Sequence, residues 1–141
     1  PSLIGVEERY QRHCIKDGNL IISRNAPYKV ALARVRESQN VLAHANLYFL
    51  ELDESKVNPV FVSVFLQSEM GMEQLYRFSK GSVVRSISIQ DLKKIQVPNL
   101  PREQQDLIAE EYENLSEDLV VLQRQADLIR DKRARLLEGV V

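Results

Sequence analysis

A long segment without glycine or proline most constrains what this chain can fold into. Residues 102–138 consist mainly of Glu, Gln, Leu, Ala, Arg and Lys, all of which have high helix propensity. Pro101 directly before the segment and Gly139 directly after it are typical of the two ends of a helix. The pattern predicts one helix about 55 Å long at roughly 1.5 Å per residue. Because that length exceeds the width of a compact domain of this size, we expect much of the helix to project.

The apolar side chains of this helix repeat with heptad spacing, which is typical of a left-handed coiled coil. Only Arg133 interrupts the apolar series, where it either selects register and partner or snorkels near a frayed helix end. The chain offers no second helix of similar length, so we expect the partner helix to come from another chain or from a missing part of a longer protein. A helix packed only on its own domain is the alternative. The predicted seam consists of Ile108, Tyr112, Leu115, Leu119, Leu122, Ala126, Ile129, Arg133 and Leu136.

The residues before this helix predict a mixture of strands and helices. Three short apolar runs, at 19–23, 29–35 and 46–52, are typical of strands. Asn58 and Pro59 then predict the start of a helix, with asparagine as the N-cap and proline at the first helical position.

That helix is expected to run to about Glu69, to break near Gly71 and to be followed by a second helix ending at residues 80–81. Residues 82–86 predict a loop, and the capping box from Ser88 to Asp91 predicts a short helix that ends at Lys94.

The sequence therefore predicts an α+β fold in three parts. Residues 1–101 form a small mixed globular domain, residues 102–138 form the long coiled-coil helix and residues 139–141 form a tail. The chain begins without a methionine, so we expect the domain to be incomplete at its N-terminus.

Motifs for catalysis are absent from the sequence, which has no phosphate-binding loop, no GxGxxG and no HExxH. His13 and His44 have no neighbours at metal-ligand spacing, and Cys14 is most simply a small core residue. The run Asn58-Pro59-Val60-Phe61 lacks the second proline of the amino-methyltransferase motif, so it predicts a helix start instead of an active site. We expect a binding protein that is not an enzyme, with no cofactor and no metal.

The distribution of charge is uneven along the chain. Residues 1–100 carry 13 Lys and Arg against 10 Asp and Glu, whereas residues 101–141 carry 6 against 10. A basic domain is a weak indication of nucleic-acid binding, and an ordinary solvated surface is the alternative. No apolar run approaches the roughly 18 residues of a membrane span, and no secretory signal is present, so we expect a cytoplasmic protein that does not bind a membrane.

Three stretches, in this order, resemble the specificity (S) subunit of type I restriction-modification systems. Residues 17–24, DGNLIISR, resemble a strand of that family, with Asn19 where an aspartate is usual. Residues 81–98 are similar to its G-[ST]-x-x-x-x-I-x-x-x-x-L-x-x-I-x-[ILV]-P passage. Residues 100–108, LPREQQDLI, look like the LP-x-x-EQQ-x-x-I start of its spacer helix.

The resemblance implies a non-catalytic subunit with a partial target recognition domain and a spacer helix. Such a subunit reads half of a split sequence in double-stranded DNA and docks DNA methyltransferase subunits, with the restriction subunit as a further candidate partner. A second spacer helix, from another copy or from the other half of the subunit, would complete the coiled coil.

Two loops carry the predicted DNA contacts, because Lys and Arg neutralise phosphates and Arg and Asn read base edges. The residues are Arg24, Asn25, Tyr28 and Lys29 in the first loop, and Lys80, Ser82 and Arg85 in the second. Two other functions stay open: an oligomerising adaptor or truncated remnant that does not bind DNA alone, and the recognition piece of a fused restriction-methyltransferase enzyme.

Overall fold

The sheet is built around the first predicted strand. The structure is a computed structural model that describes residues 17–33 and 46–140. Three antiparallel strands, β1 (Leu20–Ser23), β2 (Val30–Leu32) and β3 (Leu47–Leu50), lie in the order β2-β1-β3. The side chains of β1 alternate, and Leu20 and Ile22 are fully buried. All three predicted strands are confirmed, although the end of the second prediction, residues 34–35, lies outside the described residues, as do His13, Cys14 and His44.

Two consecutive helices follow the sheet, α1 (Pro59–Gln67) and α2 (Glu69–Phe78). The predicted cap of α1 is confirmed, since Asn58 Oδ1 accepts hydrogen bonds from the backbone N–H groups of Val60 (2.9 Å) and Phe61 (3.3 Å). The predicted break near Gly71 is wrong, because the chain changes direction at Ser68, which caps both helices. Gly71 lies within α2, where a Cβ atom would overlap the backbone of Phe65 and Leu66. Close approach of α1 and α2 therefore requires this glycine.

A short helix, α3 (Ile89–Leu92), begins at the predicted capping box and ends before Lys94. Ser88 Oγ accepts a hydrogen bond from the backbone N–H of Asp91 at 3.1 Å. Leu75, Ile87 and Ile95 are fully buried and complete the core formed by the sheet, α1 and α2. The α+β prediction is confirmed.

The long predicted helix is present as α4 (Arg102–Ala134). It ends four residues before the predicted limit at Glu138, because the chain continues in turns whose N–H groups bond to carbonyls three residues earlier, as Glu138 does to Arg135. None of the helices in the described ranges has an apolar stretch long enough to cross a bilayer. The chain divides into two compact units, residues 1–109 and 110–141.

Candidate nucleic-acid interface

The two loops predicted to contact DNA lie side by side, although they are far apart in the sequence. Asn25 and Ser86 form an antiparallel bridge. The backbone N–H of Ala26 donates to the carbonyl of Arg85 at 2.9 Å, and the N–H of Ile87 donates to the carbonyl of Arg24 at 3.0 Å. The two predicted loops therefore belong to one continuous region of the surface.

The second loop is closed at its base by a pair of backbone hydrogen bonds. The N–H of Lys80 donates to the carbonyl of Ser86, and the N–H of Ser86 donates to the carbonyl of Lys80, both at 2.9 Å. Gly81 has a φ of +127°, and a Cβ atom there would overlap the carbonyl oxygen of Val84. The loop between Lys80 and Ser86, here called the 80–86 loop, therefore needs glycine at its second position.

The exposed Arg85 braces this loop through its side chain. Its guanidinium donates through Nε to Ser79 Oγ at 3.0 Å and through Nη2 to the carbonyl of Tyr76 at 3.0 Å. These acceptors lie at the C-terminal end of α2, where unsatisfied carbonyls and the helix dipole favour a cation. Arg85 was predicted from sequence as a DNA contact, and the structure adds a role in holding the loop.

Arg24 is exposed and oriented by an aromatic side chain. Its guanidinium carbon lies 4.7 Å from the centroid of the Tyr48 ring, a cation–π contact. Tyr48 is itself held by a hydrogen bond of 2.8 Å from its hydroxyl to the carbonyl of Ile87. A cation held in one orientation loses less conformational freedom when it binds an anion.

Three lysines of the region have fixed contacts: Lys29 through its backbone, and Lys80 and Lys94 through the buried Asp91. The exposed Lys29 donates its backbone N–H to Ser23 Oγ at 2.9 Å. Lys80 Nζ lies 3.7 Å from Asp91 Oδ2, and Lys94 Nζ lies 2.8 Å from Asp91 Oδ1. The hydrogen bond from Lys94 is the main reason that the pKa of Asp91 lies below its ordinary value, and desolvation opposes it.

Tyr28 differs from the other predicted contacts, because the residue is only 5% exposed. It packs edge-to-face on Tyr76, with ring centroids 5.1 Å apart. Tyr28 belongs to the core cluster, so its side chain supports the first loop from the core. A DNA contact by Tyr28 remains a prediction, and its burial makes support of the loop the role that the structure favours.

The apolar tip of the 80–86 loop is not among the residues predicted from the sequence. Ser82 is exposed as expected, but the next two side chains are exposed as well, Val83 at 94% and Val84 at 58%. Two consecutive valines directly after Gly-Ser were the signal that could have found them.

The predicted seam forms a second candidate surface. In the unit 110–141, the four central aliphatic members Leu115, Leu119, Leu122 and Ile129 are between 57% and 66% exposed. Ile108 packs partly against the core of the first unit, and Leu136 lies beyond the end of α4. The seam's role in helix pairing remains a prediction.

A polar cluster at the start of α4 was not predicted from the sequence either. Gln105 is 3% exposed, accepts from the backbone of Asn58 and donates to the carbonyl of Leu100, both at 2.9 Å. Asp106 accepts from Asn58 Nδ2 at 2.9 Å and from Arg102 Nε at 2.8 Å. These two hydrogen bonds hold the pKa of Asp106 below its ordinary value, and the bond from Asn58 has the larger effect. No group of acids, histidines or cysteines in the described ranges could hold a metal ion.

One solved structure with a similar fold is the crystal structure of the type I restriction-modification system S subunit from M. genitalium. The similarity has a TM-score of 0.69 and covers 92% of this chain at 19% sequence identity. The chain spans 34% of the length of that protein. No model of a known protein family matches the chain, and no curated protein does. The expected resemblance to S subunits is thus confirmed at the level of the fold.

Proposed function

We propose that the chain is a non-catalytic specificity subunit, or a half or fragment of one, of a type I restriction-modification system. In this function it recognises a half-site in double-stranded DNA. The observation that carries the proposal is the pairing of the two predicted loops into one surface on a domain with the S-subunit fold.

The arrangement of cations supports contact with DNA. Arg24, Lys29 and Lys80 are exposed and lie in the two paired loops. Phosphate contacts by such side chains fix the orientation of a protein on a duplex, while loop side chains that reach base edges supply the sequence specificity.

The apolar face of α4 supports a helix partner. A row of exposed aliphatic side chains in water is unfavourable, and covering it with a second helix removes that area from solvent. We propose that this partner is a second spacer helix, from another copy or from the other half of the subunit, and that the pair docks DNA methyltransferase subunits.

The charges of α4 favour antiparallel pairing with a second copy. Residues 110–118 carry five acidic and no basic side chains, whereas residues 124–135 carry five basic and two acidic ones. Antiparallel packing places each acidic half beside a basic half, whereas parallel packing places like charges together.

An oligomerising adaptor that does not bind DNA is the second candidate, and the exposed seam is the observation that favours it. The seam requires a partner whether or not the loops touch DNA. The adaptor and the specificity subunit therefore differ in the loops and in the identity of the bound chains.

The test is purification of the chain from its native cells at low salt, with mass spectrometry of the proteins that accompany it. Binding to random DNA duplexes is measured in parallel. A near-stoichiometric DNA methyltransferase together with enrichment of a common DNA sequence supports the proposal. Self-association without methyltransferase or DNA binding would favour the adaptor, and a larger native chain with methyltransferase motifs upstream would favour a fused enzyme.

A further inference from the structure

We propose that the tip of the 80–86 loop reads DNA through an apolar contact, with Val83 packed on the C5 methyl group of a thymine in the major groove. This inference rests on the proposed function, and it names the base feature that the same surface recognises.

The exposure of Val83 is the first observation. At 94%, it is the most exposed large hydrophobic side chain in the part of the chain that the structure describes, and its neighbour Val84 is 58% exposed. A single exposed valine is ordinary on a protein surface. Two in succession at the end of a braced loop need a further explanation.

The bracing of the loop is the second observation. The two backbone bonds between Lys80 and Ser86 close its base, and Arg85 ties its far side to the end of α2. The carbonyl of Arg85 also accepts from Ala26 in the neighbouring loop. The backbone at the base of the loop and the polar groups of Arg85 thus hold its shape, while the valine side chains are left in contact with water.

The surrounding charge selects the partner. The exposed cations Arg24 and Lys29 lie in the neighbouring loop and the exposed Lys80 lies at the base of the 80–86 loop, while the carboxylate of Asp91 is matched by Lys80 and Lys94. The expected partner is therefore a polyanion that also presents an apolar group. Duplex DNA fits this description, because the thymine methyl group lies in the major groove.

The pairing of the two ends of the loop favours the major groove over the minor groove. The major groove admits a two-stranded ribbon, and the 80–86 loop is a narrow pair of chain segments joined at Lys80 and Ser86. Side chains that wedge into the minor groove are usually longer or larger than valine, such as Phe, Leu, Ile or Met.

The experiment uses the full chain and a duplex selected by it from a random pool. Each thymine of the selected site is replaced in turn by deoxyuridine, which removes only the methyl group. We expect one position at which the replacement weakens binding by about fourfold, the effect of one buried methyl-sized group. Val83→Ser is expected to bind thymine and deoxyuridine equally at that position, whereas Val83→Ile keeps the difference. Val140→Ser, which alters an exposed valine far along the sequence, is the matched control.

The outcomes separate this inference from the proposed function. If no duplex binds, both are overturned. If a duplex binds and depends on Arg24, but no thymine methyl group matters or Val83→Ser retains the discrimination, only the apolar contact is overturned. If Val83→Ser reduces recovery of a methyltransferase and leaves DNA affinity unchanged, the tip is a protein contact and the inference is overturned.

Discussion

Gln105 in the first turn of α4 accepts a hydrogen bond from the backbone N–H of Asn58, 47 residues earlier, at 2.9 Å. The same side chain donates to the carbonyl of Leu100, so both ends of a buried amide are satisfied. Asn58 meanwhile caps α1 with its own side-chain oxygen. One buried glutamine therefore joins the starts of two helices.

Replacement of Gln105 by alanine is expected to lower the free energy of unfolding by about 1–3 kcal/mol, because it removes the bonding partner of the N–H of Asn58 and of the carbonyl of Leu100, both in half-buried residues. Urea denaturation measures this change. Gln104→Ala is the matched control, since Gln104 is the exposed neighbour and surface substitutions usually change stability by less than about 0.5 kcal/mol. Equal changes in the free energy of unfolding of the two variants would show that the hydrogen bonds of Gln105 do not stabilise the fold.

Gly81→Ala is expected to distort the 80–86 loop, because the backbone there has a positive φ and a Cβ atom would overlap the carbonyl of Val84. The expected cost is about 1–3 kcal/mol of backbone strain, together with weaker DNA binding. Thermal unfolding and duplex binding measure the two effects.

Gly139→Ala provides the control for Gly81→Ala. Gly139 also has a positive φ, at +84°, but a Cβ atom there would meet nothing within 4 Å. Since it lies beyond the end of α4, we expect no change in DNA affinity. Equal losses of DNA affinity in the two variants would contradict a specific role for the loop.

The pH dependence of stability is expected to include a contribution from Asp91. Its pKa in the folded protein lies below the ordinary value of 3.8, chiefly because of the hydrogen bond from Lys94. The ionised form is therefore stabilised by folding, so this contribution is present above pH 3.8 and is lost as the pH falls through the lower, folded-state pKa. The difference in unfolding free energy between the native protein and Asp91→Asn should therefore shrink as the pH falls from about 6 to about 3. A difference that is constant across this range would argue against the role of the carboxylate charge.

The elements that were predicted correctly from sequence have local causes. The cap at Asn58 and the box at Ser88 act on N–H groups two or three residues away, so their spacing is visible in the sequence. Gly71 was misjudged because its importance comes from its approach to Phe65, a tertiary contact. A glycine in a helical pattern is compatible with either reading.

The site was predicted less completely, because its geometry depends on residues that are distant in sequence. Composition indicated the two basic loops, but nothing local shows that Asn25 pairs with Ser86. The same limit applies to Tyr28, whose burial is set by its packing on Tyr76. The buried role of Gln105 was also hidden, because it depends on a partner 47 residues away.

Arg24→Ala is expected to weaken DNA binding and to reduce the salt dependence of the binding constant by about one unit of slope, the effect of one lost phosphate contact. Titration of a duplex at several salt concentrations measures both. Arg77→Ala is the matched control, because Arg77 is exposed on α2 and is paired with Glu73 at 3.1 Å. An unchanged affinity and slope in Arg24→Ala would remove Arg24 from the interface.

Antiparallel pairing of two copies makes a prediction about register. If Leu119 packs on Leu122 of the second copy, the heptad geometry places Glu111 beside Lys132 of the second copy, and the reverse pair forms by symmetry. Lys132→Glu is then expected to weaken self-association several-fold, since exposed ion pairs contribute about 0.2–1 kcal/mol each and two attractive pairs become repulsive. The double variant Glu111→Lys with Lys132→Glu is expected to restore it.

Sedimentation equilibrium of the purified chain at low salt measures these differences in self-association. Arg124→Glu is the control, because it makes the same charge change at an exposed position on the opposite side of the heptad from the seam. In parallel pairing Glu111 and Lys132 do not meet, so the double variant would not recover what Lys132→Glu loses. Failure of that recovery, with Arg124→Glu unaffected, would therefore exclude this antiparallel register.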